Sequence, residues 1–381
     1  MGKALVIAGA AWATLALAFG CTGSGPPALV DTNVTPSPTA PISAATPTVL
    51  PTPSLASPTP ACTDSATAEA AASPATVQVI GGTTAGSGVI VSRQGQVLTA
   101  YHVVQGHTLV VVLLPDGRRA VGTVVAGDEA TDLALVSLPL QGLPALSWAP
   151  EEPAPGTRVL ALGYPLPSAR GLGGRPTVTA TQVARAVEVG GQRYVPLATG
   201  LNQGYSGGPV VDLCGRLVGL VLARLAGGGD LALVLAAATA RPVAQRLASA
   251  GPPSLDAERT ALAANMLAAL ETGYLPSGRY VAVDAGGEKL FALHGICLDS
   301  PDSYCQKVLF FLGTRYVGAD TLRPSRSILD VTPGQTPGEV VVHYANYAPG
   351  DPDCCPSGPP VPIPYFWDGQ RLRPGGVPPG H

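Results

Sequence analysis

Between Ala68 and Gly251 the apolar positions fall in short runs separated by segments that contain Gly, Pro or Asp: "ATVQVI", "GSGVIVS", "QVLTA", "TLVVVLL", "AVGTVVA", "LALVSL", "RVLALG", "TVTATQVARAV", "RYVPLA", "GPVVDL", "RLVGLVLA" and "DLALVLAA". Twelve such runs, rich in Val, Leu and Thr, predict twelve closely spaced β-strands. No long helical pattern separates them. Alternating strand–helix architecture is therefore excluded, and an all-β barrel or sandwich is expected. One helix closes the unit at "ATARPVAQRLASAG", with Gly251 as its stop signal.

The period changes after Gly251. In "PPSLDAERTALAANMLAALETG" the residues Leu262, Met266 and Leu270 recur at helical spacing, Leu255 extends their face and Arg259 interrupts it. Ser254 is the expected N-cap, with Asp256 and Glu258 in the first turn and Gly273 past the end. Strand-like runs follow in "GRYVAVD", "KLFALHGI", "KVLFFLG", "EVVVHYANY" and "PIPYFWDG", so a small α+β domain is expected. The predicted organisation is a leader at 1–21, a spacer at 22–67, the β-rich domain at 68–251, a connecting helix at 252–273 and an accessory domain at 274–381.

The leader begins with Lys3 and runs uncharged and apolar from Ala4 to Phe19, as export signals do. Gly20 and Cys21 then precede the polar "TGSG", an arrangement similar to a lipobox, in which Cys21 would be lipidated and anchor the chain to the extracytoplasmic face of the cell membrane. Ala18 and Phe19 depart from the usual pair before the small residue, and ordinary cleavage with free secretion is the alternative. The spacer, as in "TPSPTAPISAATPTVLPTPSLASPTPA", is too polar and proline-rich to bury a core and favours extended structure. No later run is long enough to span a bilayer, because Arg224, three glycines and Asp230 interrupt the best candidate.

Net charge is −3 and only 12% of the residues are charged, so the chain has no basic field for nucleic acid, which is not expected as a partner. Export makes disulfides the default for the cysteines beyond Cys21. Cys62 and Cys214 are natural partners, one before the β-rich domain and one inside it. Cys354 and Cys355 are adjacent, which disfavours a bond between them, so each is expected to pair with Cys297 or Cys305 in an order left open. Zinc-type spacing is absent, and neither a metal nor a cofactor is expected.

Candidate chemistry centres on "GYSGG", Gly204 to Gly208. Its spelling fits both the nucleophile elbow of an α/β-hydrolase and the serine loop of a trypsin-like protease. A serine nucleophile needs a base, an acid that orients the base, and donors for the oxyanion. His102 stands in "QVLTAYHVV" at the end of a strand, and Asp132 in "EATDLALVSL" at the start of another. The chain order His102, Asp132, Ser206 is the trypsin-like order, and Gly207, Gly208 and Pro209 lead into a strand where an elbow would lead into a helix.

The segments "GSGVIVSRQGQVLTAYHVV", "EATDLALVSL", "RVLALGYPL", "TVTATQVARAV" and "NQGYSGGPVVDLCGRLVGL" together resemble trypsin-like serine proteases of the HtrA/Deg type. That resemblance implies a mainly β, chymotrypsin-like fold of two six-stranded barrels with the triad in the cleft between them. His102 would be the general base, Asp132 its orienting acid and Ser206 the nucleophile of a serine endopeptidase acting on a protein or peptide substrate. The N–H groups of Gly204 and Ser206 would form the oxyanion hole, with Gln203 shaping the turn. Gly200, six residues before Ser206, and its neighbour Leu201 would set the primary specificity pocket, without an acid to select Lys or Arg.

The sequence departs from the family at Tyr101, where Ala is usual, and at Tyr205, where Asn or Asp is usual; a bulky Tyr205 would either shape the cleft or occlude it. No PDZ-like segment follows, and oligomeric state is left open. The later segments "VLFFLGTRYVGADT", "VVVHYANY", "DCCPSG" and "YFWDGQRL" loosely resemble LppP/LprE-type lipoproteins. There Phe310, Phe311, Tyr344, Phe366 and Trp367 are expected in the core, and His294 and His343 as structural residues. The rival to an envelope protease is a catalytically silent relative that serves as an envelope binding module.

Overall fold

The computed structural model describes residues 62, 64–165, 172–225, 231–298, 304–352 and 355–379. The leader, Cys21, most of the spacer and Cys354 lie outside the described residues. Helix α1 (Ser65–Ala72) opens the folded part, and its N-cap Asp64 accepts from Ala66 N at 3.0 Å and Thr67 N at 3.2 Å. Its first turn takes up Ser65 to Thr67, which composition assigns to the spacer; the local signal was the Asp64 cap before an alanine-rich stretch.

Six antiparallel strands then close a barrel: β1 (Thr76–Gly81), β2 (Thr84–Ile90), β3 (Gln96–Ala100), β4 (Leu109–Leu113), β5 (Arg119–Asp128) and β6 (Leu133–Ser137), in spatial order β1-β2-β3-β6-β5-β4. A four-residue helix, α2 (Tyr101–Val104), interrupts the run between β3 and β4. Val77, Val79, Val89, Leu98 and Leu135 fill the interior.

The second half is a seven-stranded sheet, built from β7 (Arg158–Gly163), β8 (Thr177–Gln182), β9 (Val187–Val189), β10 (Gln192–Leu197), β11 (Pro209–Val211), β12 (Leu217–Leu225) and β13 (Leu231–Ala236), in order β8-β7-β11-β12-β13-β10-β9. A bridge between Val183 and Leu197 brings the end of β8 against β10, and so draws the sheet round on itself. This chymotrypsin-like pairing is the architecture the sequence implied, with β9 as an added strand. Gly190 and Gly191 both have positive φ, 58° and 77°, the requirement of a two-residue type I′ hairpin joining β9 to β10. Helix α3 (Ala237–Ser249) follows the second half yet returns to pack Ala240, Ala244 and Leu247 into the core of the first.

Helix α4 (Ala257–Glu271) buries Leu262, Met266 and Leu270 as their spacing predicts. Its cap corrects the expectation: Asp256, not Ser254, accepts from Arg259 N at 2.8 Å, because the helix begins at Ala257 and leaves Ser254 outside the capping position. Two four-stranded antiparallel sheets follow, β14 (Tyr274–Ala285), β15 (Glu288–Cys297), β16 (Gln306–Leu312) and β17 (Arg315–Ala319), then β18 (Ile328–Pro333), β19 (Glu339–Asn346), β20 (Gly358–Trp367) and β21 (Leu372–Pro374). They face each other across Leu290, Phe310, Leu312, Val340, Tyr344 and Tyr365. Phe310, Phe311 and Tyr344 are buried as expected, while Phe366 and Trp367 are half-buried at the edge.

Cys297 and Cys305 are bonded to each other, which overturns the expected pairing of either with Cys354 or Cys355. β15 and β16 are adjacent antiparallel strands, so their joined ends bring the two cysteines together, with Cys297 N donating to Cys305 O at 2.8 Å. Cys62, Cys214 and Cys355 are also disulfide-bonded. No helix among the described residues is long and apolar enough to cross a membrane.

The first of the two sheets is not a free-standing appendage. Its other face, with α4, shares one core with the outside of the barrel: Ile80, Leu109, Val111, Leu113 and Val121 meet Met266, Leu270, Phe291, Leu309 and Phe311. Arg119 of β5 reaches across to donate to Leu270 O at the end of α4 at 2.5 Å. Every residue of β1 is therefore buried, on both faces of the strand. Truncating Phe311, 1% exposed, to Ala is expected to cost about 3–5 kcal/mol. In a urea titration followed separately at Trp148 and Trp367, the barrel and the sheets should lose that stability together, in one shared transition.

Candidate active site

Strand register brings the first two candidates together. Ala100 at the end of β3 pairs with Leu133 at the start of β6, so the next residues outward, Tyr101 and Asp132, are neighbours. Tyr101 N donates to Asp132 O at 2.9 Å, which starts α2 beside the aspartate. The carboxylate then grips His102 twice: Oδ1 accepts from the His102 backbone N at 2.9 Å, and Oδ2 meets Nδ1 at 2.7 Å. This fixes the ring in the tautomer with its proton on Nδ1 and leaves Nε2 outside the pairing.

Asp132 is the one described non-glycine residue with positive φ, at 51°. Such a backbone is held by its surroundings. Asp128 Oδ1 accepts from both Thr131 N and Thr131 Oγ1 at 2.9 Å, and Arg246 of α3 donates to Oδ2 of the same carboxylate. The Arg246 hydrogen bond, with those from Thr131, holds the Asp128 carboxyl below its ordinary range against a smaller opposing effect of burial. Sequence reading passed over Asp128 and Arg246. Their only signal was a second carboxylate four residues before Asp132; its partner lies far along the chain.

Ser206 sits in a loop pinned to β2. Ser87 N donates to Ser206 O at 2.8 Å, Ser87 Oγ donates to Gly204 O at 2.6 Å, and the same Oγ accepts from Tyr164 N at 2.9 Å. Gly207 has φ 83°, and a Cβ there would lie 2.3 Å from Ser87 O and 2.6 Å from Ala100 N. Only glycine permits that approach of the serine loop to Ser87 and to Ala100, the last residue of β3. The N–H groups of Gly204 and Ser206 donate to no acceptor among the described residues, as an oxyanion site requires.

The two departures from the family pattern resolve by packing. Tyr205 is 3% exposed and lies in the core of the second half, where its hydroxyl pairs with Thr179 Oγ1 at 2.9 Å. It therefore points away from the cleft. Tyr101 packs its ring over Gly127 of β5, where a Cβ would come within 2.3 Å of the ring. Of the two specificity candidates, Gly200 is half-buried, while the Leu201 side chain is buried in the core of the second half. His294 and His343 are both bonded within the accessory sheets, to Ser277 and Gln306 and to Thr332. Among the described residues no cluster of His, Cys, Asp or Glu could hold a metal ion. A cavity of about 550 Å³, lined by residues that include Glu69, Pro115, Pro144 and Arg175, takes in none of His102, Asp132 and Ser206.

Two segments of the chain match known families. Residues 86–220 match the trypsin-like peptidase domain family, and residues 294–370 match the LppP/LprE lipoprotein family. A putative serine protease HhoB from Synechocystis is 34% identical over 212 residues, 53% of this chain and 50% of that protein. A probable periplasmic serine endoprotease, DegP-like, from Marinomonas is 34% identical over 177 residues, 44% of this chain and 36% of that protein. The chain thus spans half or less of these relatives' length. The crystal structure of the Rv3671c protease from M. tuberculosis in an active form aligns at 28% identity over 56% of this chain and 97% of that one, with a TM-score of 0.43.

The Asp128 clamp has a pH signature. Because its folded pKa is depressed, its contribution to stability is complete above the ordinary carboxylate value of 3.8 and is lost as pH falls through the lower folded value. Asp128→Asn should lower stability at neutral pH and flatten the acid limb of the stability curve, as read by urea midpoints between pH 7 and pH 2.

Proposed function

We propose that this chain, which carries a trypsin-like peptidase domain homologous to HtrA/DegP-like serine proteases and an LppP/LprE lipoprotein-like domain after it, is an extracytoplasmic serine endopeptidase. The observation that carries the reading is the double grip of Asp132 on His102, together with a serine loop whose Gly204 and Ser206 N–H groups donate to no acceptor among the described residues. Ser206 Oγ attacks the scissile carbonyl while His102 Nε2 takes its proton. The carbonyl oxygen becomes the oxyanion of a tetrahedral intermediate and accepts from Gly204 N and Ser206 N. His102 then returns the proton to the leaving amine as the C–N bond breaks, which leaves an acyl-enzyme. Water attacks that ester by the same steps in reverse, with His102 again as base, and frees Ser206.

Burial of Tyr205 supports an open site, since the bulky side chain next to the nucleophile is taken up by the core. With Gly200 at the base of the primary pocket and no acid next to it in the sequence, a small or medium apolar residue is the favoured side chain on the acyl side of the cleaved bond. Lipidation at Cys21 would place the protease on the outer face of the membrane, in keeping with the lipoprotein-like C-terminal segment, and envelope protein quality control or processing is the role that fits such a position.

A fluorophosphonate should label the purified ectodomain at Ser206, and Ser206→Ala should abolish both labelling and cleavage of an unfolded protein substrate. Asp132→Asn should reduce turnover about 10⁴-fold by presenting the wrong His102 tautomer. A folded ectodomain that takes no label would favour the binding-module reading instead. Sequencing of cleavage products should find Ala, Val or similar residues before the cut; cleavage confined to Arg or Lys would sink the pocket assignment.

A further inference from the structure

A point of unusual crowding lies where the accessory sheet meets the barrel. The β14–β15 register breaks between Pro276 and Tyr280, and the resulting bulge carries Gly278 at φ 82°. Facing it is the β1–β2 turn, with Gly82 at φ 60°. A Cβ on Gly278 would stand 2.9 Å from Gly82 Cα and 3.1 Å from His107 Cε1; one on Gly82 would stand 2.8 Å from His107 Cε1 and 3.1 Å from Ser277 O. A Cβ on Gly81, the next residue back, would stand 2.2 Å from Val103 O, inside α2. Three backbone segments and one imidazole thus meet with no room for a methyl group.

Both halves of the catalytic apparatus begin at this junction. On one side, α2 carries His102, and the loop after it is tied back by His107 N donating to Val104 O at 3.1 Å. On the other, β2 runs from the turn to Gly86 and Ser87, the residues against which the Ser206 loop rests. The bulge is itself held on a rigid base. Ser277 and His294 are 4% and 3% exposed, and Ser277 Oγ lies 2.6 Å from His294 Nδ1. Gln306 Oε1 accepts from Ile328 N at 2.7 Å and faces His294 Nε2 at 3.0 Å, so Nε2 carries the ring proton and Nδ1 accepts from the Ser277 hydroxyl. Burial favours this neutral ring by pushing its pKa down.

We propose that the accessory sheet is a positioning part of the catalytic centre, with the Ser277–Gly278 bulge, Gly82 and His107 setting the relative placement of His102 and Ser206. The proposal rests on the reading of those two residues as base and nucleophile. A protease domain of this kind would not reach full activity with the barrel alone; the sheet that follows it completes the support on the side remote from substrate.

The test uses the full chain and the variants His107→Ala, which removes the ring without straining the backbone, and Gly278→Ala, which forces the bulge and turn apart. Leu322→Ala, at a fully exposed site in the accessory domain, is the control. At a temperature where melting curves show all four proteins folded, the rate of fluorophosphonate labelling and its pH dependence are measured, with hydrogen exchange at residues 101–107 and 204–208. His107→Ala and Gly278→Ala are expected to slow labelling about 10- to 100-fold, to move its pH midpoint and to speed exchange in both segments, while Leu322→Ala matches the parent. Unchanged labelling and unchanged exchange in both variants would overturn the proposal. Absence of labelling in the parent would instead count against the protease reading, and hydrogen exchange would still decide whether the bulge holds the two segments.

Discussion

Ser87 ties the two β-halves together at the point where the loop of Ser206 crosses β2. Three hydrogen bonds converge on its backbone N and hydroxyl, from or to Ser206, Gly204 and Tyr164. A fourth, from Thr99 Oγ1 to Ser87 O at 2.7 Å, links it to β3, the strand that ends at α2. Buried hydroxyls are retained where both donor and acceptor capacity are used, and removing one leaves partners unsatisfied. Through this one residue the loop from the second half acquires a defined place relative to the histidine of the first. The bare Gly207 then allows the contact to close.

The glycines and tyrosines around the site form matched pairs of absence and bulk. Gly127 lacks a side chain where the Tyr101 ring lies, and Gly163 lacks one where Tyr205 turns into its core, with a Cβ there only 2.7 Å from Tyr205 Cδ1. Bulk beside His102 and Ser206 is accommodated where a facing position gives up its own side chain. In the accessory sheets the buried polar groups obey a different rule: Asp320 is 7% exposed, and its carboxylate accepts from Tyr344 while its backbone O accepts from Tyr365. Burial raises the Asp320 pKa, and the phenol bond only partly offsets this. Its hydrogen bonds come from neutral donors, the Val308 N–H and the Tyr344 hydroxyl.

The strands of the β-rich domain, five of the eight accessory strands, the closing helix and the order of His102, Asp132 and Ser206 were legible because each depends on local period, turn chemistry or chain order, whereas β17, β18 and β21 were not read as strands. β9 was not separated from the run before it, although Gly190 and Gly191 mark its hairpin; a three-residue strand carries too few positions to show alternation. The N-cap of α4 was misplaced by two residues because Ser254 and Asp256 are both good caps, and the decision belongs to the backbone. The disulfide at Cys297 depended on which strands are neighbours, information that spacing does not hold. Tyr205 could be read as obstructive or harmless, and its burial followed from the shape of the second core. Asp128, Arg246 and Ser87 act through partners distant in sequence, the kind of relation a single chain read in order cannot display.

The shared core between the barrel and the accessory sheet has a bearing on how the chain matures. Ile80, Leu109, Val111, Leu113 and Val121 are made early in synthesis, yet the surfaces that cover them come from α4, β15 and β16, beyond residue 256. Until those segments emerge and pair, the barrel presents an apolar outer wall to its surroundings, the condition under which partly folded chains stick to one another. Completion of the fold is thereby delayed until α4, β15 and β16 are made, and a copy cut short after its serine loop would retain His102, Asp132 and Ser206 in an assembly that has no dry outer side.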